Sequence, residues 1–223
     1  MMDRTGTTEA AVAFADLAGF TALTEAHGDA AAADIAERLV AVAESVLGAG
    51  DRLVKTLGDA VLLTSVDALS GITLVQRLFQ ACEADARFPD VRAGLHYGSV
   101  IRRGDDVFGA TVNIAARIAA RAGGGEILFT RPVADAAAAA EIRTRRLGLI
   151  PLRNLTEPVE LFELVRSAAP DRSVDPVCRM MVHPATAAGR LSYQGIDYLF
   201  CSLDCAAKFA AHPDRFGSSG PRE

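Results

Sequence analysis

The chain has 223 residues, of which 50% are hydrophobic, and a formal net charge of −5. That length and hydrophobic content can bury the core of one medium-sized domain and of a small second one, while the acidic balance and the lack of a basic stripe argue against binding to nucleic acid. No apolar run reaches the roughly 18–20 residues that span a bilayer, and the N-terminus lacks the apolar core of a signal peptide, so we expect a cytoplasmic protein without membrane binding.

The first segments of the chain read as a strand followed by helices. Residues 9–16 form a short apolar run that ends in a carboxylate, which predicts a β-strand with Asp16 at its C-terminal end. Residues 17–21 then turn into a helical region. Apolar residues recur at helical spacing from about 29 to 48, and Gly48 is expected to end that helix.

Residues 53–63 are predicted to form a β-hairpin. Two apolar segments flank Gly58 and Asp59, which are both turn-forming residues, so the Asp59 carboxylate lies at the tip. Lys55 is the one charge in the first of these segments, and a charge in a mostly buried strand requires a partner. A solvated edge strand with a polar turn is the alternative interpretation.

In the remainder of the first 166 residues, predicted helices continue to alternate with predicted strands. The sequence predicts helices over about 67–84, 109–122 and 131–139, and strands over about 92–101, 126–130, 141–149 and 159–165. Because the hairpins require antiparallel pairing, these elements favour an α+β fold with a mixed or antiparallel sheet.

A change in composition marks a second module. Residues 167–174 are polar and contain a proline, which is typical of a linker. Three of the four cysteines follow it, and their clustering in a reducing compartment indicates metal ligands rather than disulfides. We therefore divide the chain into a domain over 8–166, a linker over 167–174 and a domain over 175–217.

Several polar groups in the first domain lie where cations and a polyphosphate could bind. If the strand that ends at Asp16 and the hairpin that carries Asp59 are neighbours in one sheet, the two carboxylates can share one or two divalent cations. Backbone N–H groups at the start of a helix suit a polyphosphate. Here those groups belong to Gly19, Phe20 and Thr21.

A second polar pair lies on a predicted helix. Asn113 and Arg117 are four residues apart and therefore share one helix face. Their apolar neighbours place them near a buried or interfacial surface, where an arginine can stabilise charge on a phosphate and an asparagine can orient a sugar or an oxyanion. Two polar residues on a solvated face are the simpler interpretation of this pair taken alone.

These segments together resemble the catalytic domain of the class III nucleotidyl cyclases. The resemblance runs from about residue 8 to 166 in the expected order, and five segments carry it: 14–21, 55–60, 92–98, 106–117 and 155–161. It implies an α+β fold in which a sheet derived from the ferredoxin-like fold packs with helices. It also implies an adenylate cyclase that converts ATP to 3′,5′-cyclic AMP and pyrophosphate.

The resemblance implies a role for each polar residue around the phosphates. Asp16 and Asp59, with the carbonyl of Leu17, would hold two Mg²⁺ or Mn²⁺ ions in a two-metal mechanism. Asn113 would position the ribose, and Arg117 would stabilise charge as pyrophosphate leaves.

The resemblance also implies how the base is bound and how the sites are assembled. Lys55 and Asp106 match the pair that reads the purine edge, and a lysine donor with an aspartate acceptor suits adenine. Arg153 aligns loosely with a basic residue that contacts the triphosphate, with a solvated arginine as the alternative. In this family the metal aspartates come from one subunit and the transition-state residues from the other, which implies a homodimer with two interfacial sites.

Residues 173–217 resemble a YHS domain, a small treble-clef-like unit that binds metal. Cys201 and Cys205 lie four residues apart at a predicted strand–helix junction, and with Cys178 they offer three soft ligands for Zn²⁺ or another transition metal. Residue types alone do not separate zinc, iron and copper. The candidates for a fourth ligand are a group from a partner, His183, His212 and Asp175.

Two features of this domain leave questions open. The family usually has glycine where Arg179 stands, which raises the question of how tight a turn this chain forms there. The fusion raises the hypothesis that metal or thiol redox state modulates the cyclase, with an unknown regulator. Two other functions also remain: a metal-binding or metal-sensing protein with a catalytically silent cyclase-like dimerisation domain, and a guanylate cyclase.

Overall fold

The architecture is that of a computed structural model, which describes residues 6–85, 88–166 and 173–217. The first domain contains β1 (Gly6–Leu17), α1 (Phe20–His27), α2 (Asp29–Ser45), β2 (Arg52–Leu57), β3 (Ala60–Ser65), α3 (Ala68–Glu83), β4 (Val91–Arg103), β5 (Asp106–Phe108), α4 (Ala110–Arg121), β6 (Ile127–Thr130), α5 (Arg131–Ala139), β7 (Thr144–Ile150) and β8 (Val159–Leu164). The second contains β9 (Ser173–Val174), β10 (Met181–Val182), β11 (Gly189–Tyr193), β12 (Ile196–Phe200), α6 (Leu203–Ala211) and α7 (Pro213–Phe216).

The first domain is built on one mixed sheet. Seven strands follow the order β2-β3-β1-β4-β6-β8-β7, and β5 pairs with β4. Only β4 and β6 are parallel among these pairs, because a helix connects them, whereas tight turns make the hairpins antiparallel. The predicted α+β fold with a mixed sheet is confirmed.

Alternation along β1 divides the core into two layers. Ala13 and Ala15 face α2 and α3 within the largest hydrophobic cluster, whereas Val12 packs on the other face with Ala115 of α4. By the same alternation, Asp16 lies on the α4 side of the sheet. The sheet therefore presents this carboxylate on the face that α4 partly covers.

The second domain consists of two hairpins followed by the helix α6 and the short helix α7. β9 pairs with β10, and β11 pairs with β12. The ring of Phe209 in α6 packs against Tyr198 and Phe200, with centroid distances of 4.7 and 5.2 Å. So small a unit has a small core of its own, and a metal would add to its stability.

The two domains are in direct contact. Val177 and Met180 belong to the same hydrophobic cluster as the helices of the first domain. The amide of Met181 also donates a hydrogen bond to the carbonyl of Phe88 at 3.3 Å. The second domain therefore has a defined place beside the first.

Some boundaries differ from the predictions. The helix predicted to reach residue 48 ends at Ser45, and the strand predicted from 141 begins at Thr144. The sequence does not predict β5, because three residues are too few to show a period. Of the predicted linker, residues 167–172 lie outside the described residues, and 173–174 form β9. Within the described ranges, no helix combines the length and the apolar character needed to cross a membrane.

Candidate active site and metal centre

The structure brings Asp16 and Asp59 together at one end of the sheet. β1 pairs with β3 so that Asp16 lies opposite Ala60, the residue that follows Asp59. The amide of Leu17 donates to the carbonyl of Asp59 at 3.3 Å. Gly58, with φ +64°, permits the tight turn that carries Asp59. The two elements are neighbours, which is the condition on which the predicted cation site depends.

The negative charge of the two carboxylates is only partly compensated by neighbouring groups. Arg92 donates from Nε and Nη2 to Oδ2 of Asp16 at 3.0 and 2.6 Å, but Oδ1 of Asp16 is buried without a hydrogen-bond partner among the described residues. Burial and the neighbouring Asp16 carboxylate raise the pKa of Asp59 to about 6. A hard cation such as Mg²⁺ or Mn²⁺ satisfies an orphaned oxygen beside a second carboxylate, so these residues fit the implied ions.

The start of α1 adjoins this pair. Gly19 precedes the helix with φ +82°, a conformation that favours glycine, and no side chain caps the helix. The amides of Phe20 and Thr21 in the first turn therefore have no partner within the helix. Because only three residues separate Phe20 from Asp16, the predicted polyphosphate and cation contacts lie side by side.

Lys55 and Asp106 form an ion pair, with 2.7 Å between Nζ and Oδ2. Their side chains are 38% and 33% exposed, so the pair lies at the surface. The hydrogen bond from Lys55 holds the pKa of Asp106 below its usual range, and the ring of Phe108 lies 5.7 Å from the Lys55 ammonium. Asp106 is thus the partner that Lys55 requires, and β2 and β5 present the two groups together.

Asn113 and Arg117 lie on the outer side of α4. Ala115, Ile118 and Ala119 of this helix are buried against the sheet, and a rotation of about 100° per residue points Asn113 and Arg117 the other way. Within the part of the chain that the structure describes, neither side chain makes a hydrogen bond or an ion pair. Within a single chain, Asn113 and Arg117 are therefore not bonded to the Asp16–Asp59 pair.

Arg153 is also separate from the aspartates in one chain. It is exposed in the connection between β7 and β8. Since β7 is the far edge of the sheet, strands β4, β6 and β8 lie between it and β1. Within one chain, the structure therefore does not bring Arg153 next to Asp16 in the sheet.

The three cysteines predicted as ligands converge. Sγ of Cys201 lies 3.4 Å from Sγ of Cys178 and 3.8 Å from Sγ of Cys205, and all three are free thiols. Ser202 caps α6 by accepting a hydrogen bond from the Cys205 amide. Hydrogen bonds from the thiols of Cys178 and Cys201 hold the pKa of Cys205 well below its usual range, which favours the thiolate that binds metal.

A histidine from the first domain completes this cluster. Nε2 of His27 lies 3.6 Å from Sγ of Cys201 and 3.7 Å from Sγ of Cys205. The ligand atoms of His27 and the three cysteines all lie within 4.8 Å of one another. The sequence does not reveal His27, because it precedes Cys201 by 174 positions and no metal-binding spacing connects them.

The residues that the sequence analysis considered as a fourth ligand lie elsewhere in the second domain. Asp175 is fully buried, and its carboxylate accepts hydrogen bonds from backbone amides. Nδ1 of His183 accepts a hydrogen bond from the amide of Ala185, and His212 is exposed at the end of α6. Among the described residues, none of the three belongs to the cluster around the cysteines.

Comparison with known proteins gives matches for both domains. A model of the adenylate and guanylate cyclase catalytic domain matches residues 2–165, and a model of the YHS domain matches residues 173–219. The chain is 34% identical over 167 residues to the pH-sensitive adenylate cyclase MT1302 of Mycobacterium tuberculosis (strain CDC 1551 / Oshkosh). This alignment covers 73% of this chain and 42% of that protein. It is 39% identical over 137 residues to an adenylate cyclase of Streptomyces coelicolor, which covers 60% of this chain and 35% of that protein. The chain thus matches less than half the length of these relatives.

Solved structures show the same fold. The adenylyl cyclase CyaB from P. aeruginosa superposes with a TM-score of 0.66 at 21% identity, over 74% of this chain and 97% of that one. An adenylate/guanylate cyclase/hydrolase from Silicibacter pomeroyi superposes with a TM-score of 0.62 at 23% identity, over 74% of this chain and 100% of that one. Since the family model covers most of the sequence, the chain belongs to the adenylate and guanylate cyclase catalytic domain family, and a YHS domain follows that catalytic domain.

Proposed function

We propose that this chain is an adenylate cyclase that converts ATP to 3′,5′-cyclic AMP and pyrophosphate. The observation that carries the proposal is the Asp16–Asp59 pair, in which Oδ1 of Asp16 is buried without a hydrogen-bond partner among the described residues. The uncapped start of α1 follows Asp16 closely in the chain. In the reaction the ribose 3′-oxygen forms a bond to the α-phosphorus while the bond to the β-phosphate bridging oxygen breaks. The hydroxyl proton is released, and pyrophosphate carries away the electron pair of the broken bond.

The residues around the aspartates suit a triphosphate and its cations. Two Mg²⁺ or Mn²⁺ ions held by Asp16, Asp59 and the carbonyl of Leu17 would neutralise phosphate charge and lower the pKa of the ribose hydroxyl. Arg92 fixes the Asp16 carboxylate through two hydrogen bonds. The amides of Phe20 and Thr21 offer donors to the anionic phosphates.

The Lys55–Asp106 pair supports adenine as the base. A lysine ammonium donates to a ring nitrogen, and a carboxylate accepts from an exocyclic amino group, both of which adenine offers on one edge. The pair is exposed enough to exchange part of its mutual hydrogen bonding for the base. We therefore infer ATP rather than GTP as the substrate.

The outward direction of Asn113 and Arg117 supports a homodimer. A two-fold axis that brings α4 of one chain to the Asp16–Asp59 pair of the other creates two equivalent sites. In each site Asn113 would position the ribose, and Arg117 would stabilise the charge that develops on the leaving phosphate. Arg153 reaches the nucleotide only if the same partner supplies it. A monomer is then inactive.

The test is cyclic nucleotide formation by purified protein with Mn²⁺ and either ATP or GTP. Asp59→Ala is compared with Asp105→Ala, whose carboxylate is 98% exposed in the turn after β4. We expect cyclic AMP from wild type and from Asp105→Ala, and none above background from Asp59→Ala. Preference for GTP would show a guanylate cyclase and would refute the assignment of the purine contacts. No product from a wild-type dimer with Mn²⁺ would indicate a silent dimerisation domain.

A further inference from the structure

We propose that His27, Cys178, Cys201 and Cys205 form one tetrahedral site for a thiolate-preferring divalent cation such as Zn²⁺, and that this site ties α1 of the cyclase domain to the YHS domain. The three cysteines belong to the YHS domain, whereas His27 is the last residue of α1. The ligand set is therefore complete only when the two domains are in contact.

The spacing of the ligand atoms suits a tetrahedral ion. With bonds of about 2.3 Å to sulfur and about 2.0 Å to nitrogen, tetrahedral ligand atoms lie about 3.5–3.8 Å apart. Sγ of Cys201 lies 3.4 Å from Sγ of Cys178 and 3.8 Å from Sγ of Cys205. Nε2 of His27 lies 3.6 Å from Sγ of Cys201 and 3.7 Å from Sγ of Cys205. A disulfide would need about 2.05 Å. The distances therefore fit an ion held among four atoms better than a sulfur–sulfur bond.

The protein positions the two cysteine-bearing segments through one buried carboxylate. Oδ1 of Asp175 accepts a hydrogen bond from the amide of Val177 at 2.9 Å, beside Cys178. Oδ2 accepts from the amide of Cys201 at 2.8 Å. Asp175 thus joins the turn of the first hairpin to the start of α6, which places all three thiols on one side where His27 approaches.

Contacts from the YHS domain hold α1 at both ends. Near its C-terminal end, Nζ of Lys208 donates to the carbonyl of Ala26 at 2.7 Å, one residue before His27. At its N-terminal end, the side chain of Arg179 covers Gly19, where an added Cβ would lie 2.4 Å from Cγ of Arg179. The metal site therefore reinforces an interface that spans the whole helix.

Arg179 settles the open question about its turn. It adopts φ +66°, a left-handed conformation that disfavours a residue with a Cβ. The turn forms in spite of this cost, and its side chain gains the contact with Gly19. A glycine at this position would form the same turn without touching α1.

The consequence is a regulatory link, which rests on the proposed cyclase function. The segment Gly19–Thr21 that we assign to the triphosphate is the start of the helix that His27 ends. A cation bound at His27 restrains α1 and keeps those amides beside Asp16. Loss of the cation frees α1 and weakens ATP binding, so the YHS domain reports metal availability to the active site.

The first test is a Co²⁺ titration of chelator-treated, reduced protein. We expect wild type to bind with thiolate-to-cobalt charge-transfer bands and the intense ligand-field bands of a tetrahedral ion. His27→Ala should bind at least about ten-fold more weakly, with shifted ligand-field bands, because a ligand is lost. His212→Ala is the matched control and should behave as wild type, since His212 is outside the cluster. Equal affinity and spectra for His27→Ala and wild type would refute the fourth ligand.

The second test is hydrogen exchange of α1 with and without Zn²⁺, in the absence of ATP. We expect Zn²⁺ to slow exchange in the peptide over 18–28 of wild type and to have no effect there in His27→Ala. Arg179→Gly should keep the Co²⁺ affinity while losing protection at the Gly19 end. The peptide over 110–121, from α4, serves as an internal reference. Zn²⁺ binding that leaves exchange in α1 unchanged would overturn the link between the domains.

Neither measurement depends on turnover, so failure of the cyclase assay leaves the metal site testable. If the protein makes cyclic AMP, the link predicts a higher KM for ATP in His27→Ala and an unchanged KM in His212→Ala. Cyclase activity with identical KM values in both variants, together with altered Co²⁺ spectra, would retain the site and refute its regulatory effect.

Discussion

Nζ of Lys55 and Oδ2 of Asp106 lie 2.7 Å apart although 51 positions separate them in the sequence. β2 supplies the lysine and the short strand β5 supplies the aspartate. An ion pair this exposed contributes little to the stability of a fold. Its place at the surface, with a donor and an acceptor side by side, therefore favours recognition of a ligand edge.

The purine assignment predicts that Lys55→Glu damages nucleotide binding selectively. We expect KM for ATP to rise at least about ten-fold, because a donor is replaced by a carboxylate that repels Asp106. Arg52→Glu is the control, since Arg52 lies on the same strand in a comparable pair with Asp105 at 3.2 Å, and should change KM less than about two-fold. Unaltered turnover of ATP by Lys55→Glu would show that the assignment is wrong.

The carboxylate pair predicts how stability depends on pH in the metal-free protein. The pKa of Asp59 is raised from 3.8 to about 6, so the ionised form is disfavoured in the folded state. The protonated Asp59 carboxyl therefore favours the folded state. This stabilising contribution is fully present below the unfolded pKa and is lost as the pH rises through about 6. With solvent screening of this partly exposed group, we expect Asp59→Asn to be about 1 kcal/mol more stable than wild type at about pH 8 and equal to it at about pH 4.

Urea unfolding in the presence of a chelator measures this difference. Saturating Mn²⁺ at the higher pH should reverse the order, because the cation binds the wild-type carboxylates and stabilises the folded state. A difference between the two proteins that is the same at both pH values would contradict the raised pKa.

The outward position of Arg117 predicts complementation between two inactive variants. Asp59→Ala and Arg117→Ala should each be inactive, but a mixed dimer has one site with all wild-type groups. Random mixing makes half of the dimers mixed, with one working site in each, so we expect about a quarter of wild-type activity. The measurement is cyclic AMP formation after the two proteins are mixed and allowed to exchange subunits. Arg121→Ala, one turn further along α4 and exposed, should be active by itself. No recovery in proven mixed dimers would refute the shared site.

Because Asp175 is buried, its substitution is expected to lower stability strongly even though it removes no metal ligand. Its carboxylate accepts hydrogen bonds from the amides of Val177 and Cys201, and leaving buried amides unsatisfied is costly. We expect Asp175→Ala to lower the free energy of unfolding of Zn²⁺-loaded protein by about 3 kcal/mol. Asp197→Ala is the control in the same domain, because Asp197 is exposed and its carboxylate, among the described residues, accepts a side-chain hydrogen bond from Ser192 alone. A cost for Asp175→Ala no larger than for this control would contradict its role between the cysteine segments.

Local patterns in the sequence determined much of this protein. Helical spacing alone places Asn113 and Arg117 on one face, and the Gly58-Asp59 turn alone implies a hairpin with a carboxylate at its tip. The two-residue turn and the four-residue helical repeat are short-range features, because backbone geometry imposes them on nearby residues. The three cysteines likewise indicate a metal site by their residue type and clustering.

Contacts between distant segments were decided only by the tertiary structure. His27 has no motif of its own, and it meets Cys201 because the YHS domain packs against α1. Arg92 reaches Asp16 because β4 pairs with β1, which sets Asp16 opposite Arg92. Arg179 takes a left-handed conformation that its residue type disfavours, and it lies against Gly19. Packing free energy summed over whole domains outweighs such local preferences, and short sequence windows do not contain it.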